Sequence, residues 1–250
     1  MKKILLFVFL MSAVALNAQS NGELWNQGNE AYSMGQYQTA LDNYLQIADG
    51  GYESYKLYYN IGNAYYKLDE IGKAILYYEK ALKLDPSGAD AQNNLQIARL
   101  HTLDKIDQVP EFVLATWTKG VRNLLSSNAW GYVSLTLFAA VLVLLLMFKF
   151  APTTGARKLS FVLACVVFLF SIFALLFSVS LKRNATSDDS AIVMVPVSNI
   201  KSAPNSTGNN LFILHEGTKV KIIDQVGSWN NIELADGRQG WIPSSDIETI

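Results

Sequence analysis

Hydrophobic and polar positions alternate differently in four stretches of the chain. Residues 4–16 form a short apolar run behind Lys2 and Lys3. Residues 21 to about 100 mix tyrosine, leucine and alanine with polar residues at helical spacing. Residues 129–148 and 159–181 then hold 20 and 23 positions without a single charge. Beyond residue 190 come short β-branched runs at 192–195, 219–223, 231–234 and 240–242. Between them lie turn signals such as Pro204-Asn205-Ser206, Glu216-Gly217 and Asp236-Gly237. The patterns predict an exported start, a helical domain, two spanning helices and a small barrel of about five strands.

The first run is read as a signal peptide over residues 1–18, with cleavage after Ala18. It has a basic start, an apolar stretch too short to span comfortably, and small residues before a polar segment. An uncleaved anchor is the alternative, and either way the following residues are exported.

The helical region repeats itself. Gly28-Asn29-Glu30-Ala31-Tyr32 recurs as Gly62-Asn63-Ala64-Tyr65-Tyr66, and Gly35, Tyr37, Ala40 and Tyr44 meet Asp69, Ile71, Ala74 and Tyr78 at the same offset of 34. Small residues at fixed points let antiparallel helices approach while tyrosine and leucine fill the gaps. The second unit, 55–88, closes on Ala81-Leu82-Lys83-Leu84-Asp85-Pro86, whose proline stops a helix.

This pattern resembles the tetratricopeptide repeat. Tyr58, Ile61-Gly62, Tyr65, Ala74, Tyr78, Ala81 and Pro86 occupy the signature positions. Units are expected at 21–54 and 55–88, with a degenerate third or capping helix from residue 89, in a domain spanning 19–110. The resemblance implies a peptide-binding concave face presenting Trp25, Asn29, Tyr32, Asn60, Asn63, Tyr66 and Lys67. Tyr58, Tyr65 and Tyr78 are assigned to packing. A chaperone-type carboxylate clamp is not supported: Asn29 and Asn60 match it, but Trp25, Asp90 and Asn94 stand where its basic residues would be.

Apolar residues within 111–127 follow three- and four-residue spacing, with Lys119, Arg122 and Asn123 largely opposite. That predicts an amphipathic helix opened by Pro110-Glu111, lying either in the headgroup plane or against the repeat domain. At about 1.5 Å per residue the two charge-free stretches reach roughly 30 and 34 Å, enough to cross a bilayer. Trp130 and Tyr132 suit the first boundary. The loop 149–158, flanked by Lys149, Arg157 and Lys158, is expected in the cytoplasm, with both polar modules outside. Neither span contains an acid, a base or a histidine, so the hairpin reads as an anchor. Cys165 is assigned to packing.

A polar linker over 182–190 leads to the last module, 191–250. Its order resembles a bacterial SH3-like domain, carried by Ser202-Ala203-Pro204, Leu214, Gly217, Val220, Trp229, Ala235-Asp236-Gly237-Arg238 and Gly240-Trp241-Ile242. Such domains imply peptide or cell-wall binding. Asp246 stands where polyproline-binding relatives carry an aromatic, which argues against proline-rich ligands. Trp229 and Trp241 are expected to be core or structural residues.

Charge sharpens this picture. Residues 19–110 carry 12 acids and 7 bases, 111–183 carry one acid and 7 bases, and 184–250 carry 8 acids and 4 bases. The formal net charge of −1 therefore conceals two acidic modules around a basic anchor. No basic face for nucleic acid is present, and the single cysteine precludes an intrachain disulfide. The two histidines, His101 and His215, lie in different modules, and no local motif has metal-ligand or phosphate-loop spacing. No catalytic residue, metal or cofactor is expected.

The full order also resembles BatE-type proteins of the Bacteroides aerotolerance system. It combines signal, repeats, Pro-Glu-Phe segment, two spans and SH3-like tail, with Asn94-Leu95-Gln96-Ile97-Ala98-Arg99 and Ser126-Ser127-Asn128-Ala129-Trp130 in place. The resemblance implies a two-pass protein of the Gram-negative inner membrane. Its periplasmic modules would bind proteins or peptides, notably Bat proteins with von Willebrand factor A-type domains and an associated MoxR-type ATPase system. The expected fold class is therefore a multidomain membrane protein: an all-α tetratricopeptide-repeat solenoid, a two-helix transmembrane hairpin and a small all-β SH3-like barrel. The expected role is a non-enzymatic scaffold, with peptidoglycan binding through the SH3-like domain as the alternative.

Overall fold

The computed structural model describes residues 21–106, 112–187 and 189–250; the signal segment and the Pro110-Glu111 helix opening lie outside the described residues. Two compact units result. The first joins the helical repeats to the C-terminal sheet, and the second holds the two long apolar helices.

In the first unit, α1 (21–33), α2 (Tyr37–Asp49), α3 (Tyr55–Lys67), α4 (Ile71–Leu84) and α5 (Ala89–Leu100) follow one another through short turns. The 34-residue offset reappears in the backbone. Gly35 and Asp69 both take a left-handed φ, 76° and 64°, turning α1 into α2 and α3 into α4. Ser54 caps α3 by accepting a hydrogen bond from the Leu57 amide at 3.2 Å. The core follows the apolar period: Ala40, Leu41, Tyr44 and Ile47 from α2 meet Leu57, Ile61 and Ala64 from α3.

The C-terminal sheet has seven antiparallel strands in the order β3-β2-β6-β5-β4-β1-β7. They are β1 (Ser190–Val193), β2 (Val197–Lys201), β3 (Asn210–His215), β4 (Lys219–Val226), β5 (Trp229–Glu233), β6 (Gln239–Pro243) and β7 (Ile247–Thr249). About five strands are expected from sequence, with four runs located at β1, β4, β5 and β6; β2, β3 and the short β7 complete the seven. β2 reads Val-Ser-Asn-Ile-Lys and buries only Ser198 and Ile200, so its apolar signal is weak. Ala191, Val193, Ile200, Leu214, Val220, Ile232, Leu234 and Ile242 form the interior.

β1 departs from simple alternation. Ala191, Ile192 and Val193 are all fully buried. Ala191 and Val193 face the sheet's own core, whereas Ile192 joins Ala74, Ile75, Tyr78, Leu95 and Ala98 of the repeats, together with Ile250 and the partly buried Met194. The repeats and the sheet therefore share apolar packing.

The second unit contains α6 (Val113–Arg122), α7 (Ser127–Phe150) and α8 (Thr154–Ala185). α6 is shorter than the 111–127 helix expected from sequence. Ser126 accepts from the Ala129 amide and begins a new helix, so Leu124 and Leu125 fall in the turn between. α7 and α8 continue beyond the charge-free stretches and take Lys149, Arg157, Lys158, Lys182 and Arg183 into their ends; only residues 151–153 separate them.

These two helices are held antiparallel by a repeating polar seam. Ser134 donates to the Ser171 carbonyl and Ser171 to the Ser134 carbonyl, both at 3.0 Å. Ser127 and Ser178 repeat the exchange one heptad away, at 3.0 and 2.9 Å. Val141 and Ala164 are buried in the next layer. Small residues and reciprocal hydroxyls are how helices associate where no hydrophobic drive separates protein from lipid. Both helices are long and apolar enough to cross a membrane, and little of either is buried. A core helix of a soluble protein would have its apolar surface covered.

Candidate functional site

Each repeat carries an asparagine–tyrosine–asparagine cluster. Tyr44 Oη donates to Asn29 Oδ1 at 2.8 Å, and Asn60 Nδ2 donates to the same oxygen at 3.2 Å. Thirty-four residues on, Tyr78 Oη donates to Asn63 Oδ1 at 2.8 Å, with Asn94 Nδ2 on that oxygen at 2.8 Å. Burial pushes the Tyr44 and Tyr78 hydroxyls above their ordinary range.

The seven residues singled out from sequence separate into two groups. Tyr32, Asn63, Tyr66 and Lys67 line one pocket of about 160 Å³ together with Tyr78, Asn94 and Ile97. Trp25, Asn29 and Asn60 surround Tyr44 one repeat earlier, with the Trp25 and Tyr44 rings 5.7 Å apart. Of Asn29 and Asn63, both read from sequence as groove-exposed, Asn29 is exposed and Asn63 is half-buried, and each also accepts from the hydroxyl of a buried tyrosine. Tyr78, assigned to packing, both packs and lines the pocket. Asn94 and Ile97 were missed, although Asn94 is Asn60 carried forward by one period.

The pocket is too small for a cofactor or drug-sized ligand, which needs several hundred Å³. Its volume is on the scale of a single side chain. Tyr32, Tyr66, Tyr78 and Ile97 supply apolar wall, the asparagines supply amide groups, and Lys67 supplies a cation at the rim.

A larger cavity of about 580 Å³ lies between the end of α5 and the sheet. Several of its charged residues are engaged within the protein. Asp104 accepts from the His215 amide at 2.7 Å, from His215 Nδ1 at 2.8 Å and from Thr218 Oγ1 at 2.7 Å. Lys219 donates at 2.8 Å to Glu79, a buried carboxylate that Arg99 also contacts. Lys105 donates to the carbonyls of Arg99 and Leu100. The Asp104 and Lys219 contacts bind the repeats to the sheet. His101 and His215, far apart in sequence, line a second junction pocket of about 440 Å³.

Burial raises the Asp104 pKa, but the hydrogen bonds from Thr218 and from the His215 ring and amide outweigh it, leaving the carboxyl below its usual range. A lowered folded pKa stabilises the ionised state. Its contribution is fully present above the ordinary carboxylate range near pH 4 and is lost as pH falls through the lowered value. Acid titration of thermal stability should therefore fall less steeply below about pH 4 in Asp104→Asn than in the parent. Equal slopes would remove Asp104 from the acid response.

On the sheet, Gly240 and Ile242 point inward, so Trp241 lies on the opposite face, across from Asn231. Trp229 alternates outward in the same way beside the buried Asn230 and Ile232. Both tryptophans are half-buried on that face and outside the sheet's core. Asp246 accepts from Ser198 Oγ at 2.7 Å and Ser245 Oγ at 2.9 Å, a local structural role where relatives would offer an aromatic.

Comparison with known families agrees with the repeat module and the sheet module. Residues 55–87 match the tetratricopeptide repeat, and residues 196–248 match the bacterial SH3 domain. No curated protein sequence matches the chain. The chain thus combines a tetratricopeptide-repeat solenoid, two long apolar helices and a bacterial SH3-like sheet.

Proposed function

We propose that this chain is a non-enzymatic, membrane-anchored scaffold whose repeat groove holds an extended segment of a partner protein. In this reading a signal exports the N-terminus, the hairpin fixes the chain in the inner membrane, and both modules work in the periplasm. The observation that carries the binding role is the small aromatic and amide-lined pocket of Tyr32, Asn63, Tyr66, Tyr78, Asn94 and Ile97 with Lys67 at its rim. The resemblance to BatE-type proteins supports a place among Bat proteins with von Willebrand factor A-type domains.

The absence of chemistry is part of the proposal. The Asp104–His215 pair resembles two members of a hydrolytic triad, yet the hydroxyl beside it, Thr218, is bonded to Asp104. A nucleophile would have to face the imidazole.

A photo-crosslinking residue placed at Lys67 in intact cells should give one discrete adduct with an exported protein. Ile97→Arg should abolish that adduct, and the same probe at Met34, an exposed residue outside the pocket, should not form it. An adduct that survives Ile97→Arg would reject the groove assignment.

A second reading has its own observation. Trp229 and Trp241 stand on the outer face of adjoining strands, half-buried, where aromatic rings can stack on sugars or peptide. Full-length protein in detergent that pellets with peptidoglycan, and ceases to do so on Trp241→Ala, would favour cell-wall attachment.

A further inference from the structure

α6 sits at the end of the hairpin from which the chain enters and leaves it. Trp130 Nε1 donates to the Arg122 carbonyl at 2.7 Å, and Arg122 Nη1 donates to Ser180 Oγ at 3.2 Å. The last turn of α6 is thereby tied to the first turns of α7 and the end of α8. Yet Phe112, Val113 and Trp117 are 76%, 80% and 67% exposed, and no residue of α6 is buried. A short helix with bare aromatics, pinned where two apolar helices end, is placed at the edge of any bilayer that the helices cross.

The same end gathers Lys119, Arg122, Lys182 and Arg183, and residues 112–135 and 171–187 contain no acid. This cluster is awkward as a topology signal, because Lys149, Arg157 and Lys158 occupy the opposite end. Retained cations beside a membrane-facing apolar helix have a simpler use in binding phosphate-bearing lipid headgroups.

We infer that α6, with Lys119, Arg122, Lys182 and Arg183, forms an anionic-phospholipid site at the headgroup layer. Phe112, Val113 and Trp117 enter the acyl boundary while the cations engage lipid phosphates. The inference rests on the hairpin crossing a bilayer, a premise tested separately by the native Cys165, which is exposed within the charge-free stretch of α8.

The test uses the full chain in phosphatidylcholine vesicles with or without 30% phosphatidylglycerol, a spin label at position 117 (Trp117→Cys in a Cys165→Ser background), and accessibility to oxygen and to a water-soluble nickel chelate. A label on native Cys165 should be open to oxygen and closed to the chelate in both lipids; otherwise the spanning premise fails. With anionic lipid, position 117 should be open to oxygen and shielded from the chelate, about 5–10 Å below the surface. Removing the anionic lipid, or introducing Lys119→Gln, Lys182→Gln and Arg183→Gln together, should raise chelate access at least about twofold. The inference is overturned if position 117 is freely open to the chelate with anionic lipid present. It is also overturned if the label is closed to both reagents, which marks packing on protein, or if shielding ignores lipid charge and the triple variant.

Discussion

Replacing Tyr78 with alanine is expected to destabilise the repeat region by about 3–5 kcal/mol, a large part of the stability of a small domain. Its side chain is 1% exposed and sits between α3 and α5, with its hydroxyl on Asn63. The loss combines a large cavity with a broken polar cluster. Tyr78→Phe should cost only about 1 kcal/mol, because Asn63 keeps its bond from Asn94. Gly62 reports the same contact from the other side. A methyl there would come within 2.7 Å of the Tyr78 ring, tighter than real contacts allow, so Gly62→Ala should cost about 1–3 kcal/mol through overpacking. Urea unfolding followed by far-UV circular dichroism measures all three. A Tyr78→Ala loss below that of Tyr78→Phe would contradict the assignment of Tyr78 to the repeat core.

Ile192→Asp is expected to do comparable damage from the other module. Ile192 belongs to a β-strand but is buried against α4 and α5. A carboxylate there would be stranded in an apolar junction, at a cost of several kcal/mol. With Trp25, Trp117 and Trp130 replaced by phenylalanine, fluorescence reports only Trp229 and Trp241 of the sheet, and it should change in one transition with the part of the helical dichroism that unfolds, because the repeats and the sheet share a core. In Ile192→Asp the two signals should separate or shift together to much lower denaturant. An unchanged, coincident transition would mean that the junction contributes nothing to stability.

Much of this architecture was legible in residue order, for physical reasons. A 34-residue period forces a repeated helix pair, and two charge-free runs force long apolar helices. The boundaries were less legible. Helix formation does not stop where charge begins, so Lys149 and Arg157 entered α7 and α8, while the Ser126 cap cut the amphipathic helix short. The weakly patterned β2 escaped notice because only Ser198 and Ile200 turn inward.

The docking of repeats and sheet was the main feature not read. Its partners are more than a hundred residues apart, as in Asp104 with His215 and Glu79 with Lys219. One local sign existed. The run Ala191-Ile192-Val193-Met194-Val195 is apolar without alternation, which marks a strand covered on both sides. For the groove, the period located Asn63, Tyr66 and Lys67, but only the fold shows that Asn29 and Asn63 also accept hydrogen bonds from the Tyr44 and Tyr78 hydroxyls.

The central claim is that partner proteins are bound in the pocket of Tyr32, Asn63 and Ile97 and not on the outer face of the sheet. It is tested most directly by titrating the crosslinked partner segment, as a synthetic peptide, into full-length protein in nanodiscs. Ile97→Arg should weaken binding at least about tenfold, and Trp241→Ala should leave it unchanged. Binding that resists Ile97→Arg and is lost with Trp241→Ala would contradict the claim and move the site to the SH3-like sheet.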